Sequence, residues 1–284
     1  MLFANIELPI LIVYVLMVIG FIIMVWGIKN QNTKPNARIF IALGVILVIG
    51  GTVGRMLFSP KNSENARLEK NATLFLHAKA EKAAEYIAGR FREEGGTVAF
   101  LIDDESNGNP SSDNYIMLEY LQKVLPEKGV SWSDVIVVGE TTVDKKTGEE
   151  KRNDPLDAAI MKKKLDQVYD KVDIVVNFVG LPRSISDLKK ITFLTKKNAS
   201  NGKNNMFLMT DTGLAFVDQD MLKSGRVCGI IRSSSEESMA FNIRKDTVPK
   251  DLSKAFDTFF LLISPETVSD FIDRNPNYFV SVSQ

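Results

Sequence analysis

The sequence predicts an α/β protein: two N-terminal transmembrane helices followed by a doubly wound, mostly parallel three-layer sheet domain. Three observations carry this. Two runs of about 20 apolar residues stand near the N-terminus, each long enough to cross ~30 Å of hydrocarbon as a helix. Beyond residue 97, short apolar runs rich in β-branched residues alternate with helical patterns. Those runs are apolar almost throughout instead of alternating, which is the mark of strands buried on both faces of a parallel sheet.

The first apolar run, 8–28, has no charged side chain, and the second, 39–57, has only Arg55. The first lacks a basic leader and exceeds the apolar core of a cleaved signal, so it reads as a retained helix. Gly44, Gly50 and Gly54 punctuate the second run, and Gly50 and Gly54 have the spacing that lets helix backbones approach closely. That spacing serves either packing within the hairpin or docking onto another membrane subunit. The connecting segment 29–38 carries Lys29, Lys34 and Arg38 and no acid, which places it on the cytoplasmic side and the large domain on the outer, periplasmic or extracellular side. Arg55, Lys61, Arg67 and Lys70 pull the other way, but the first helix usually sets the orientation.

The organisation expected is therefore a membrane hairpin over 1–59, a helical stalk over 60–96 and an α/β domain over 97–284. In the stalk, Leu76, Ala80, Ala83, Ala84, Ile87, Ala88 and Phe91 form an apolar stripe at helical spacing. No heptad is sustained, so the stripe is expected to pack on the sheet and not to form a coiled coil. In the domain, strands are expected at 98–102, 135–138, 174–179, 206–209, 227–231 and 259–263, with an edge strand at 278–282. Helices are expected at 115–125, 156–169, 186–197, 218–223 and 265–272. Segments 103–113, 141–154 and 198–205 are polar and turn-rich and read as surface loops.

Composition narrows function. The chain has 35 basic and 35 acidic side chains, so no global field favours nucleic acid. His77 is the only histidine, which excludes a zinc site built on several histidines. Cys228 is the only cysteine and has no internal disulfide partner. A dinucleotide fold needs glycines straight after the first strand, where Gly108 stands alone. No phosphate-binding loop exists, since Gly202-Lys203-Asn204 lacks the hydroxyl and the upstream glycine, and no Gly-x-Ser-x-Gly elbow occurs. No catalytic residue, cofactor or metal site is therefore assigned.

Open α/β sheets bind ligands beyond the carboxyl ends of their strands. The polar residues there are Asp103, Asp104, Glu140, Asn177, Thr210, Asp211 and Arg232, which form the candidate ligand-binding set. Leu101-Ile102-Asp103-Asp104-Glu105 resembles the acidic strand end of response-regulator receiver domains, as do 173–182 and Thr210. Asn177-Phe178 stands where that family carries its phosphoacceptor aspartate. Over 97–235, the strand order with Val172-Asp173-Ile174-Val175-Val176 and Leu222-Lys223-Ser224-Gly225-Arg226 resembles a single lobe of type I periplasmic-binding-protein-like domains. That resemblance implies a ligand-binding lobe. The family traps its ligand between two such lobes, and this chain has room for little more than one.

The first functional expectation is a membrane-anchored, non-catalytic accessory or scaffold subunit of an envelope complex. Its partners would be the lipid bilayer together with other membrane proteins or further copies of itself. The alternatives are a small-molecule sensing or binding domain, and a metal-dependent enzyme using Asp103, Asp104 and Asp211.

Overall fold

The computed structural model describes residues 8–57, 60–91, 96–143, 150–195, 205–210, 212–213, 217, 219–234, 244 and 248–275. The chain divides into two compact units, Met1–Lys70 and Asn71–Gln284.

The first unit holds α1 (Leu8–Asn30), α2 (Ala37–Leu57) and the start of α3 (Pro60–Phe91). Both α1 and α2 are long and apolar enough to cross a membrane, over Ile12–Asn30 and Ala37–Gly54. Most of their large side chains are exposed, as a lipid-facing surface requires. The two helices meet through small residues. A Cβ on Gly44 would lie 2.6 Å from the Gly20 carbonyl oxygen and 2.8 Å from the Met24 amide, so only glycine lets the backbones come this close. Gly54 faces Val13 across the pair, whereas a Cβ on Gly50 would meet nothing within 4 Å. The three glycines thus divide. Gly44 and Gly54 lie inside the hairpin, and Gly50 lies on its outer surface.

In the second unit the strands are β1 (Thr97–Asp103), β2 (Ser131–Val138), β3 (Thr141–Val143), β4 (Glu150–Arg152), β5 (Ile174–Asn177), β6 (Asn205–Leu208), β7 (Val227–Ser233) and β8 (Phe260–Ile263). The helices are α4 (Asp113–Glu127), α5 (Ala158–Leu165), α6 (Ile185–Leu188), α7 (Thr192–Thr195), α8 (Gln219–Lys223), α9 (Leu252–Phe259) and α10 (Val268–Arg274). Six strands form one sheet in the order β2-β1-β5-β6-β7-β8. All neighbours are parallel except β7 and β8, which are antiparallel. β3 and β4 pair separately as an antiparallel hairpin.

Alternate residues of each strand serve opposite layers. Val98, Phe100 and Ile102 of β1 join α4, α9 and residues 75–91 of α3 in one core. Ala99 and Leu101 join α5 to α8 and α10 in the other. The apolar stripe of α3 is thus a layer of the domain, and the segment expected as a stalk belongs to the α/β unit from Asn71 onward. α3 is also latched to β7. The pairing of β6 with β7 skips Cys228, matching Met206 to Val227 and Phe207 to Gly229. That bulge releases the Cys228 carbonyl, which accepts a 2.6 Å bond from the Tyr86 hydroxyl. Burial pushes the Tyr86 phenol up to about 12, so it stays a donor.

Three expectations about elements are corrected. The helix expected at 186–197 is two single turns, α6 and α7. The second turn is redirected where the Thr192 hydroxyl donates to Asp166 at 2.6 Å. The polar segment 141–154 contains the β3–β4 hairpin, whose six residues are all exposed. α9 was not expected; Asp251 caps it by accepting from the Lys254 amide, and Ala255, Phe256 and Phe259 face the core. The edge strand expected at 278–282 lies outside the described residues.

Candidate functional site

In this strand order the direction of sheet building reverses between β1 and β5, and that reversal is the switch point at which doubly wound sheets place ligands. Asp103 and Asn177 flank it, and Glu140, Thr210 and Arg232 stand at the ends of strands further out. Asp103 is half-buried at the end of β1; its Oδ1 accepts from the Ser106 amide at 3.0 Å and its Oδ2 from Asn114 Nδ2 at 3.4 Å. Its carboxylate knits the β1–α4 loop to the first turn of α4. Asp104 is exposed. Glu140 is exposed and pairs with Lys164 at 2.7 Å.

Asn177 is fully buried, and its side chain closes the turn after β5. Oδ1 accepts from the amides of Val179 at 2.8 Å and Gly180 at 2.9 Å, and Nδ2 donates to the Gly180 carbonyl at 2.8 Å. This is a side chain mimicking a backbone turn. Thr210 Oγ1 lies 3.0 Å from Thr212 Oγ1 and accepts from the Thr212 amide. Arg232 points along β7, donating to the Ser233 carbonyl at 3.0 Å with its guanidinium 5.7 Å from the Phe271 ring centroid. Asp211 lies outside the described residues.

The ends of β5 and β6 are shut against each other. The Leu181 amide donates to the Thr212 carbonyl at 2.9 Å. Gly180 and Gly213 hold φ of 100° and 78°, and a Cβ on Gly180 would stand 2.6 Å from the Thr212 Cβ. A Cβ on Gly213 would collide with the Leu181 carbonyl. Both positions need glycine for conformation and for space. Among the described residues, these contacts leave no cleft between the two strand ends.

The open space lies one step outward. A groove of about 650 Å³ runs between the start of α5 and the start of α6, lined by Asp154, Asp157, Arg183, Ser184, Asp187 and Lys190 together with Leu156 and Pro182. Its α5 wall is acidic. Asp154 accepts from the Leu156 amide, and Asp157 caps α5 by accepting from the Ala159 and Ile160 amides at 2.8 and 2.9 Å. Its α6 wall carries Arg183 and an Asp187–Lys190 pair 2.6 Å apart. The hydrogen bond from Lys190 lowers the Asp187 carboxyl, and the same bond raises the Lys190 ammonium, so both stay charged. Ser184 caps α6 by accepting from the Asp187 amide. Arg183 is exposed, and no ion pair or hydrogen bond ties it to another described residue.

Two walls of opposite charge suit a ligand or peptide segment that carries both signs. Among the described residues, no three histidine, cysteine or acidic side chains gather in a metal-binding cluster. The groove residues were not among the candidates read from sequence. A sequence signal exists in Asp157, a helix-capping residue type, and in Pro182-Arg183-Ser184, in the loop that follows β5.

No protein-family model matches this chain, and no curated protein matches it. A solved structure titled as a periplasmic ribose ABC transporter from Conexibacter woesei is similar to it, with 14% identity over 70% of this chain and 60% of that one and a TM-score of 0.42. The chain thus spans about 60% of the length of that protein.

Proposed function

We propose that this protein is a membrane-anchored, non-catalytic binding subunit whose α/β domain receives a segment of a protein partner in the groove between α5 and α6. One observation carries the reading. Asp103 and Asn177 spend their side-chain acceptors on their own turns, while the groove beside them is open, carries both charges and presents an uncommitted arginine. Arginine at such a site is a frequent anchor of protein interfaces. The basic segment between α1 and α2 supports placing the domain on the outer side.

The experiment is capture of the full-length protein from native membranes in gentle detergent, with mass spectrometry of what accompanies it. A stoichiometric set of membrane proteins is expected. Arg183→Glu, an exposed position whose charge reversal leaves the core untouched, should reduce that recovery by about tenfold, equivalent to about 1.4 kcal/mol. Recovery of the protein alone, or equal recovery with Arg183→Glu, would overturn the proposal.

A second reading, small-molecule binding, is favoured by the position of the groove at the carboxyl side of a parallel sheet, near its switch point. A ligand at 100 times its Kd stabilises the folded state by about 2.7 kcal/mol. Thermal melts against a panel of zwitterionic small molecules would reveal such a shift, and Arg183→Glu should remove it.

A further inference from the structure

The hairpin carries its charge at one end. Residues 8–57 contain no aspartate or glutamate, and Lys29, Lys34 and Arg38 cluster around the turn between α1 and α2. All three are exposed, and none makes an ion pair with another described residue. Like charges at close quarters repel, and the hairpin has no acid to offset them. Their counter-charge has to come from outside it.

The turn that presents them is held by its own bonds. Asn30 Nδ2 donates to the Trp26 carbonyl at 2.8 Å, which closes the end of α1. The Asn30 carbonyl accepts from the Lys34 amide at 3.0 Å and from the Thr33 hydroxyl at 3.2 Å. A Cβ on Gly27 would stand 2.9 Å from the Ala37 carbonyl oxygen, so the two helices touch right up to the turn. Around that point the Trp26 and Phe40 rings meet edge to face, with centroids 5.2 Å apart. The Lys34 ammonium lies over the Trp26 ring, 5.1 Å from its centroid, where the negative face of the ring attracts it. Lys29 is three residues beyond Trp26, on the same side of α1.

This combination belongs to a membrane–water boundary. Tryptophan concentrates at headgroup level, and lysine and arginine at helix ends extend their charged tips toward the phosphates. The apolar spans Ile12–Asn30 and Ala37–Gly54 lie directly behind the cluster. On the reading above, in which α1 and α2 anchor the protein in a membrane, we propose that Lys29, Lys34 and Arg38, grouped around Trp26, form a binding site for the headgroups of anionic phospholipids in the leaflet at the turn. The ligand class is fixed by position, at the end of two apolar spans, and by charge, three cations with no acid to answer them. Each cation strengthens the attraction to anionic lipid by about fivefold.

The test uses the full-length protein with Trp132→Phe, which leaves Trp26 as the sole tryptophan. The phenyl ring keeps the contact that Trp132 makes with Phe100. The protein is reconstituted into vesicles of phosphatidylcholine and phosphatidylglycerol in equal parts, with bromine on the acyl chains of one lipid or the other to quench a tryptophan it touches. Brominated phosphatidylglycerol should quench Trp26 several-fold more effectively than brominated phosphatidylcholine. The preference should shrink in about 1 M salt, where the screening length is about 3 Å. Lys29→Gln, Lys34→Gln and Arg38→Gln together should remove it, and Lys29→Arg with Lys34→Arg should keep it. Equal quenching by the two lipids, or a preference retained by the triple glutamine variant, would overturn the lipid site and leave the membrane anchor standing. Quenching by neither lipid would overturn both. Inorganic phosphate added to pure phosphatidylcholine vesicles should leave Trp26 emission unchanged. A saturable response there would mean that a free anion fills the site, and would overturn the assignment to lipid.

Discussion

The hairpin and the α/β domain are held together by opposite means. Between α1 and α2 the decisive residues are small. Gly20, Gly27, Gly44 and Gly51 each sit where a Cβ would collide with the facing helix, while the large residues point outward. In the domain the decisive residues are large. Phe75, Phe100, Phe193, Phe207 and Phe259 are fully buried, and glycine appears in the sheet where it makes room for one of them, as Gly229 does for Phe207. The difference follows from the solvent. The two hairpin helices are long and apolar enough to cross a membrane, and in lipid apolar side chains gain nothing by leaving it for another helix, so that close approach and dispersion decide such a pairing. In water, removing apolar area decides, at about 25 cal/mol per Å².

The sharpest way to break this comparison is on its aqueous side. Phe207 lies on the central strand β6, is fully buried, and packs 5.8 Å from Tyr86 and directly against Gly229. Phe207→Ala leaves a cavity between α3 and the sheet that backbone strands cannot collapse to fill. The expected loss is about 3–5 kcal/mol, read from chemical denaturation of the domain signal. A loss below about 1 kcal/mol would mean that the α3 layer is not a rigid part of the core.

The lipid side sharpens the comparison within one helix. Gly44→Leu forces a side chain into the Gly20 backbone, whereas Gly50→Leu adds a side chain where nothing stands within 4 Å. Paired cysteines placed across the hairpin should cross-link at the wild-type rate with Gly50→Leu and much more slowly with Gly44→Leu, an effect of about 1–2 kcal/mol on hairpin association. Equal behaviour of the two variants would refute the packing described here.

How far these regions were legible in the sequence differs in the same way. Length and hydropathy suffice for α1 and α2, and near-continuous apolar runs suffice for the buried strands, because burial on both faces leaves no polar positions. The β3–β4 hairpin escaped detection because it buries nothing. Thr141, Thr142 and Val143 pair with Arg152, Lys151 and Glu150 in the open, held by backbone bonds and by Thr142 Oγ1 donating to the Lys151 carbonyl. The site was legible in position but not in role. A polar residue at a strand end looks the same in sequence whether its acceptors face a ligand or its own turn. Asn177 and Asp103 use theirs on backbone amides two or three residues ahead. Arg183 has no such local use, and nothing in its own sequence position distinguishes it until the fold sets α5 beside it.

The smallest expected effect concerns the face of the domain formed by α3 and α4. His77 stacks on Tyr120 with ring centroids 4.5 Å apart, the Tyr120 hydroxyl donates to Glu81 at 2.9 Å, and Lys128 pairs with Glu81 at 2.8 Å. Burial lowers the His77 imidazole below its ordinary value of 6.5, so the folded protein holds it neutral where the unfolded chain would already take up a proton. The sign follows from linkage. The unfolded state binds more protons in the window from 6.5 down to the depressed folded value, so stability is full above 6.5 and declines as pH falls through that window. Because the ring is partly solvated, the decline is modest, about 1–2 °C in Tm between pH 7.5 and 5.5. His77→Phe keeps the stack with Tyr120 and removes the titration, so its Tm should be flatter with pH over that range. A wild-type Tm that rises on acidification, or a His77→Phe slope equal to wild type, would show that the imidazole is not held neutral by this packing.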